Sequence, residues 1–347
     1  MDASHFELKA YYTSLQNLHI KHFGKPAESF EQLMSHGSDR FIVRLKSADG
    51  SSCIGIVNHN IDENKALISF GRTFKSQGMN VPEIFAVNRD NVSYLMEDLG
   101  NETLLSKIES SKSFENSLKE LYKKAIENLT KFQITACKDI DYSLCHQFIE
   151  FGEENIDYDI NYFKERFLKV FYKNEPDEDL LNKDLELLKN KILELPRNFF
   201  LYRDFQSRNI MIKEGELYFI DFQSGRRGAL LYDLASLLYD AKADIPQQTR
   251  EEFLEYYLTS VKNLIPVEEN KYRQYFWYFA LIRILQALGA YGFLGIVKGK
   301  NRFLESIPYA INNIYFILHS RVQQNELAYL KKIFEKLLME KNNNDKT

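Results

Sequence analysis

Cysteine is scarce in this chain of 347 residues: three in all, Cys53, Cys137 and Cys145, an odd set without CxxC spacing. Such a set argues against a disulfide framework and offers no zinc-ligand pattern. Neither sign of charge dominates, with 45 lysines and arginines against 49 aspartates and glutamates and a net charge of −4. A general affinity for nucleic acid or an anionic membrane is therefore not expected, although a local basic pocket stays open. The first residues, MDASHFELKAYY, lack a basic segment followed by an apolar one, so no secretory signal is expected and the default compartment is the cytoplasm. The most apolar run, residues 275–297, carries Arg283 and Gln286 near its centre. A charge there is costly in lipid, so the run reads as a buried helix and no membrane is expected as a partner. There is no internal repeat and no low-complexity linker.

What is present is an ordinary globular composition, 44% hydrophobic and 27% charged, in a chain long enough for two lobes. The 26 phenylalanines and 21 tyrosines are read as core and lobe-interface packing. Apolar spacing predicts a helix over residues 6–23, stopped by Gly24 and Pro26, so residues 1–24 stand as an N-terminal helix. Strands follow from Ser29, over 41–46 and over 52–58, joined by the small polar turn His36-Gly37-Ser38-Asp39-Arg40 and by an Asp49-Gly50 hairpin. A helix over 62–77, with Asp62 as N-cap and Gly78 as its stop, precedes two more strands separated by residues 88–91. Residues 25–97 thus form a β-rich lobe, and Glu97-Asp98-Leu99-Gly100 is placed as a hinge. Residues 98–341 read as a mainly helical lobe, with one helix through Leu118–Phe132, one starting near Asp159 and one over 180–195. Others cover 232–240, 250–264 and 271–291, the last broken up at its end by Gly289, Gly292 and Gly295. Two more run to about 341, leaving residues 342–347 as a polar frayed tail. The fold class is α+β.

Residues 201–223, LYRDFQSRNIMIKEGELYFIDFQ, hold the chemistry. Asp204 is followed five positions later by Asn209, just before an apolar strand; Asp221 closes the next apolar run, Leu217-Tyr218-Phe219-Ile220. Alone, each would pass for a turn or strand-end residue. Together, two carboxylates and an amide at neighbouring strand ends match a hard-cation site, because magnesium takes oxygen ligands and leaves part of its shell to water and phosphates.

These residues resemble the catalytic apparatus of the aminoglycoside phosphotransferase/choline kinase-like branch of the protein-kinase-like superfamily. Tyr202-Arg203-Asp204-Phe205-Gln206-Ser207-Arg208-Asn209 matches the catalytic loop and Ile220-Asp221-Phe222-Gln223 the metal-binding segment. Within that branch, Arg227-Gly228 and the run from Tyr232 to Asp240 are most similar to bacterial cell-wall amino-sugar anomeric kinases, which act on N-acetylmuramate and N-acetylglucosamine. The early turn Gly37-Ser38-Asp39-Arg40, and Val81-Pro82-Glu83 before the run 95–100, fit as well. The resemblance spans roughly residues 30–320 and implies a two-lobe protein-kinase-like fold, ATP and Mg2+ as cofactors, and a small-molecule hydroxyl, most simply a sugar's, as acceptor.

It also implies roles. Asp204 would be the general base and Arg208 a contact to the transferring phosphoryl group; Asn209 and Asp221 would hold magnesium. The turn with Gly37, Ser38, Asp39 and Arg40 would cover the phosphates, and Glu97, Asp98 and Leu99 would meet the adenine. Tyr202 stands where a histidine is usual, as loop scaffold. Asp233 is read as structural, bonding Arg203 or the loop backbone; Asp240, Arg283, Gln286 and Tyr291 are candidates for the acceptor site. Arg208, Arg226 and Arg227 flank the site in sequence, which suits a neutral or anionic sugar better than a polycation. One departure stands out: Ile54-Gly55-Ile56-Val57 runs into Asn58 and His59, with no lysine on the third strand to meet the phosphates. Arg40, Arg44 or Lys46, or magnesium itself, would have to supply that charge. The alternatives are the same chemistry on an aminoglycoside, choline or homoserine, and a pseudokinase-like binding module.

Overall fold

Alternation along the N-terminal strands decides which side of the sheet meets which helix. In the computed structural model, which describes residues 3–33, 39–111 and 113–344, α1 (Ala3–Phe23) precedes β1 (Ser29–Leu33), β2 (Phe41–Lys46) and β3 (Ser52–Val57). After α2 (Ile61–Ser76) come β4 (Ile84–Val87) and β5 (Ser93–Glu97). The five strands form one antiparallel sheet in the order β1-β2-β3-β5-β4. Val43, Leu45, Cys53, Val57 and Leu95 point to one face and bury with Leu15 and Leu18 of α1. Ile56 and Tyr94 point to the other and bury with Ala66, Leu67, Phe70 and Phe74 of α2. The period-two pleat therefore puts the even-numbered residues of β2 and the preceding Arg40 on the α2 side. α2 begins one residue earlier than expected, because Asn60, not Asp62, caps it, accepting the Glu63 N–H.

The second lobe contains α3 (Leu104–Glu109), α4 (Asn116–Ile134), α5 (Glu153–Phe163), a π-turn at Lys164–Leu168 with a short tail α6 (Lys169–Phe171), and α7 (Glu178–Leu193). Short strands β6 (Phe199–Leu201), β7 (Ile210–Lys213), β8 (Glu216–Phe219) and β9 (Arg226–Gly228) follow, paired β6–β9 and β7–β8. The chain ends in α8 (Leu231–Leu238), α9 (Gln247–Lys262), α10 (Glu269–Gly292), α11 (Ile307–Ser320) and α12 (Ala328–Asn344). α10 is long and apolar enough to cross a membrane by length and composition. It is instead the helix the lobe packs around, in contact with α5, α7, α8, α9 and α11.

Two expectations are corrected here. The helix placed near Asp159 starts at Glu153, its first turn carrying Glu153 and Glu154 at the positive end of the helix dipole. Gly289 and Gly292 do not break α10, which runs through both and widens into a π-turn at Phe293–Val297 containing Gly295. They are there for close packing: a β-carbon at Gly292 would come within 2.0 Å of the Arg166 carbonyl oxygen. The lobes are tied by Phe219 N–H to Asn80 O at 2.9 Å, and the segment after the hinge is tied to β7 by Ile212 N–H to Glu102 O, also 2.9 Å. Edge-to-face rings, Phe74 on Phe222 and Phe70 on Phe200, seat α2 against the second lobe.

Candidate active site

The loop after β6 is held in a conformation that most side chains avoid. Arg203 has φ +79° and Asp221 φ +69°, and such positions cost about 1–3 kcal/mol each unless the surroundings over-determine them. Here they do. Asp233 on α8 accepts the backbone N–H of Tyr202 at 2.7 Å and of Arg203 at 2.9 Å, and a third bond from Gln133. The Arg203 guanidinium forks onto Asp159 at 2.7 and 2.9 Å and also reaches the Tyr232 hydroxyl. Burial pushes Asp233 up to about 7 against the pull of those N–H donors. Asp233 is thus structural, as expected. The Tyr202 hydroxyl donates to Ile220 O at 2.7 Å, so the tyrosine in the first loop position ties the loop to the segment carrying Asp221.

Asp204, Asn209 and Asp221 meet at this junction. Asn209 donates through Nδ2 to the Asp204 carbonyl at 2.9 Å and faces Asp221 Oδ2 at 3.4 Å, which leaves the amide oxygen for a cation. Asp221 Oδ1 accepts from Gln223 at 2.7 Å and from Arg40 at 3.0 Å. Against the upward push of burial, Arg40 and Gln223 hold the Asp221 carboxyl below the usual carboxylate range. Arg40 also pairs with Glu63 in the first turn of α2, while the other Glu63 oxygen accepts from Asn58 at 2.9 Å. Three buried polar atoms here lack a partner among the described residues: Arg40 Nε, the Tyr94 hydroxyl and Gln223 Oε1. Tyr94 lies within electrostatic reach of Arg40, Glu63 and Asp221. Carboxylate and amide oxygens next to unsatisfied buried donors fit a hard cation with an oxygen-rich anion beside it.

The hinge is clamped. Asp98 accepts from Arg44 Nε and from the Ser52 hydroxyl, both at 2.6 Å, and Arg44 reaches on to Gly100 O and Asn101. Glu97 pairs with Lys213 at 2.8 Å, and Leu99 is buried. The side chains of Glu97 and Asp98 are thus committed within the protein, as are the Glu97 N–H, to Glu83 O, and the Asp98 carbonyl, to Lys213. Arg44 is drawn to the hinge and Lys46 to Glu31 on the surface, so of the three cations offered for the missing lysine only Arg40 reaches the site. Asp39 is exposed and faces Lys298 at 3.3 Å. Gly37 and Ser38 lie outside the described residues.

On the other side, Asp240 accepts from the Ser207 hydroxyl at 2.6 Å. Arg283, buried, donates to Ser236 Oγ at 2.9 Å and to Gln286 at 2.8 Å. Burial and the Asp240 charge push the Tyr291 phenol up, while Arg283, the exposed Arg208 and a hydrogen bond with Ser306 oppose them. Asp240, Arg283, Gln286, Tyr291 and Arg208 therefore form one group. Arg226 and Arg227 do not join it: the first is buried against Asn155, the second lies over the Tyr142 ring. Sequence reasoning missed Glu63 and Tyr94, and placed Gln223 in the metal-binding segment without giving it a role of its own. Only Glu63 left a signal, an acidic residue in the first turn of the helix after the third strand.

A family model described as the phosphotransferase enzyme family matches residues 38–270. An N-acetylmuramate/N-acetylglucosamine kinase of Neisseria meningitidis serogroup B is 26% identical over 240 residues, 67% of this chain and 69% of the relative. One from Pseudomonas aeruginosa is 24% identical over 302 residues, covering 85% and 86%. Among solved structures, amicoumacin kinase in complex with AMP-PNP and Ca2+ superposes with a TM-score of 0.58 at 15% identity, covering 89% of this chain and 96% of its own. That likeness is one of fold.

Proposed function

Since the chain belongs to the phosphotransferase enzyme family, matched over residues 38–270, we propose that it transfers the γ-phosphoryl group of ATP to the anomeric hydroxyl of an amino sugar of the N-acetylmuramate or N-acetylglucosamine type. The observation that carries the reaction is the meeting of Asp204, Asn209 and Asp221 beside three unsatisfied buried polar atoms. The acceptor rests on the activity of relatives about one quarter identical and on a side-chain group holding Arg208 and Arg283, which suits a neutral or anionic sugar better than a polycation.

Asp204 takes the proton of the acceptor hydroxyl as that oxygen bonds to the γ-phosphorus; the bond from phosphorus to the β,γ-bridging oxygen breaks and ADP leaves. Asn209 and Asp221 would hold magnesium, which would neutralise charge on the phosphates. Arg208 meets the transferring group, and the hinge backbone meets the adenine. Asp240, Arg283, Gln286 and Tyr291 line the acceptor side. Little covalent chemistry is asked of the protein, so its contribution is positioning and charge placement.

The test is a panel of N-acetylated amino sugars, aminoglycosides, choline and homoserine, with ATP and Mg2+, the product assayed for acid lability. An acid-labile sugar phosphate formed only with amino sugars is the expected result. Turnover confined to another acceptor, or an acid-stable product, would reject the acceptor assignment.

A further inference from the structure

We propose that Arg40 supplies, from the entrance of β2, the cation that β3 lacks, and that it positions both α2 and Asp221 for the nucleotide. The inference rests on the kinase reading above. On the α2 side of β3 stand Ile54 and Ile56, the latter opposite Ile42 and Tyr94 in the register. No charge can come from that strand. Arg40 lies just before β2, and its contacts put it on the same side as Ile42: its guanidinium lies between Glu63 of α2 and Asp221.

Three features make this more than a staple between lobes. First, Arg40 and Gln223 share one Asp221 oxygen, and the other faces Asn209. The carboxylate is divided, with one oxygen for the arginine and one for a metal, so Arg40 need not leave when the metal arrives. Second, a guanidinium fork can serve two carboxylates at once and keep a further N–H, which an ammonium on a single stem does less well. That further donor, Nε, is buried without a partner among the described residues, as is the neighbouring Tyr94 hydroxyl; phosphate oxygens would satisfy both. Third, one guanidinium between two carboxylates leaves the group net negative, which favours a divalent cation, yet less negative than the bare pair, which would repel a triphosphate.

Arg40 is therefore a positioning residue whose loss should be felt in the free protein and in nucleotide binding alike. The experiment compares wild type, Arg40→Lys and Arg40→Gln by amide exchange across residues 61–76 without ligand, and by titration of a fluorescent ATP analogue with and without Mg2+. Arg40→Gln should exchange faster in α2 and bind the magnesium nucleotide roughly 10–100-fold more weakly, the value of a charge-assisted hydrogen bond or two. Arg40→Lys should fall between. Binding by Arg40→Gln equal to wild type, with only the melting temperature lowered, makes Arg40 a mere staple and overturns the proposal. If Arg40→Gln does not fold, Arg40→Lys decides alone: exchange and binding indistinguishable from wild type overturn it too. A wild type that binds no magnesium nucleotide sinks the kinase reading, and this inference with it; failure of the variants' predictions alone sinks only this one.

Discussion

On the side proposed for the donor, charge meets charge, whereas on the side proposed for the acceptor, charge meets neutral groups. Arg40 lies between Glu63 and Asp221, Arg44 on Asp98, and Arg203 on Asp159. By contrast, Asp240 is bonded by a serine hydroxyl, and Arg283 by a serine and a glutamine. The difference has a physical consequence. Removing one member of a buried ion pair strands the other at about 3–5 kcal/mol, so the donor side resists single substitutions. Exchanging a neutral hydrogen-bond partner costs about 1 kcal/mol, so the acceptor side can be altered one residue at a time.

The comparison can be broken most sharply at Asp204. Asp204→Asn keeps the shape of the loop and removes the base, and turnover should fall roughly 10²–10⁴-fold. The melting temperature and nucleotide affinity should hold. Unchanged turnover would take Asp204 out of the chemistry. A smaller effect sharpens the contrast. Arg283→Gln should raise the KM for the acceptor roughly 10-fold, one charge-assisted hydrogen bond's worth, and leave the KM for ATP where it was. Equal changes in both constants would erase the division into two sides.

The smallest expected effect is on acid stability. Arg40 and Gln223 hold the Asp221 carboxyl below its ordinary range despite burial, as Arg44, Ser52 and the Gly100 N–H hold Asp98. A depressed folded-state pKa contributes stability that is present above the ordinary carboxylate range and lost as pH falls below it. Without Arg40, burial prevails at Asp221 and lifts its folded-state pKa above the ordinary range, so its contribution reverses: stability is lost as pH rises rather than as it falls, and the acid limb of the variant is displaced towards a shallower fall. Melting temperatures of wild type and Arg40→Gln over about pH 3–6 measure the displacement. Coincident acid limbs would show that Arg40 does not set the charge of Asp221.

Much of the site was legible because its parts lie close together along the chain. Asp204, Asn209 and Asp221 fall within one hairpin and its approach, and Asp233 follows within one short helix. The elements of the first lobe were legible too, since a period of two and a hairpin turn are local signals. What escaped was non-local. Residues 40, 63 and 221 come from a strand entrance, a helix start and a loop, and nothing in the spacing joins them. Arg44 and Lys46 look as good as Arg40 in sequence; only the hinge and Glu31 show where their charge goes. Gly289 and Gly292 read as helix breakers because glycine in a helix is unfavourable by itself, while the approach of another backbone is invisible in one segment.

Gly292 carries that approach to its limit, with the Arg166 carbonyl where its side chain would be. Tyr291, on the acceptor side, is the residue before it. The wall it belongs to is anchored backbone to backbone and has no slack with which to recede. If residues 240, 283, 286 and 291 line the acceptor side as proposed, the molecules accepted would be changed through those side chains rather than through a shift of the helix that carries Gly292.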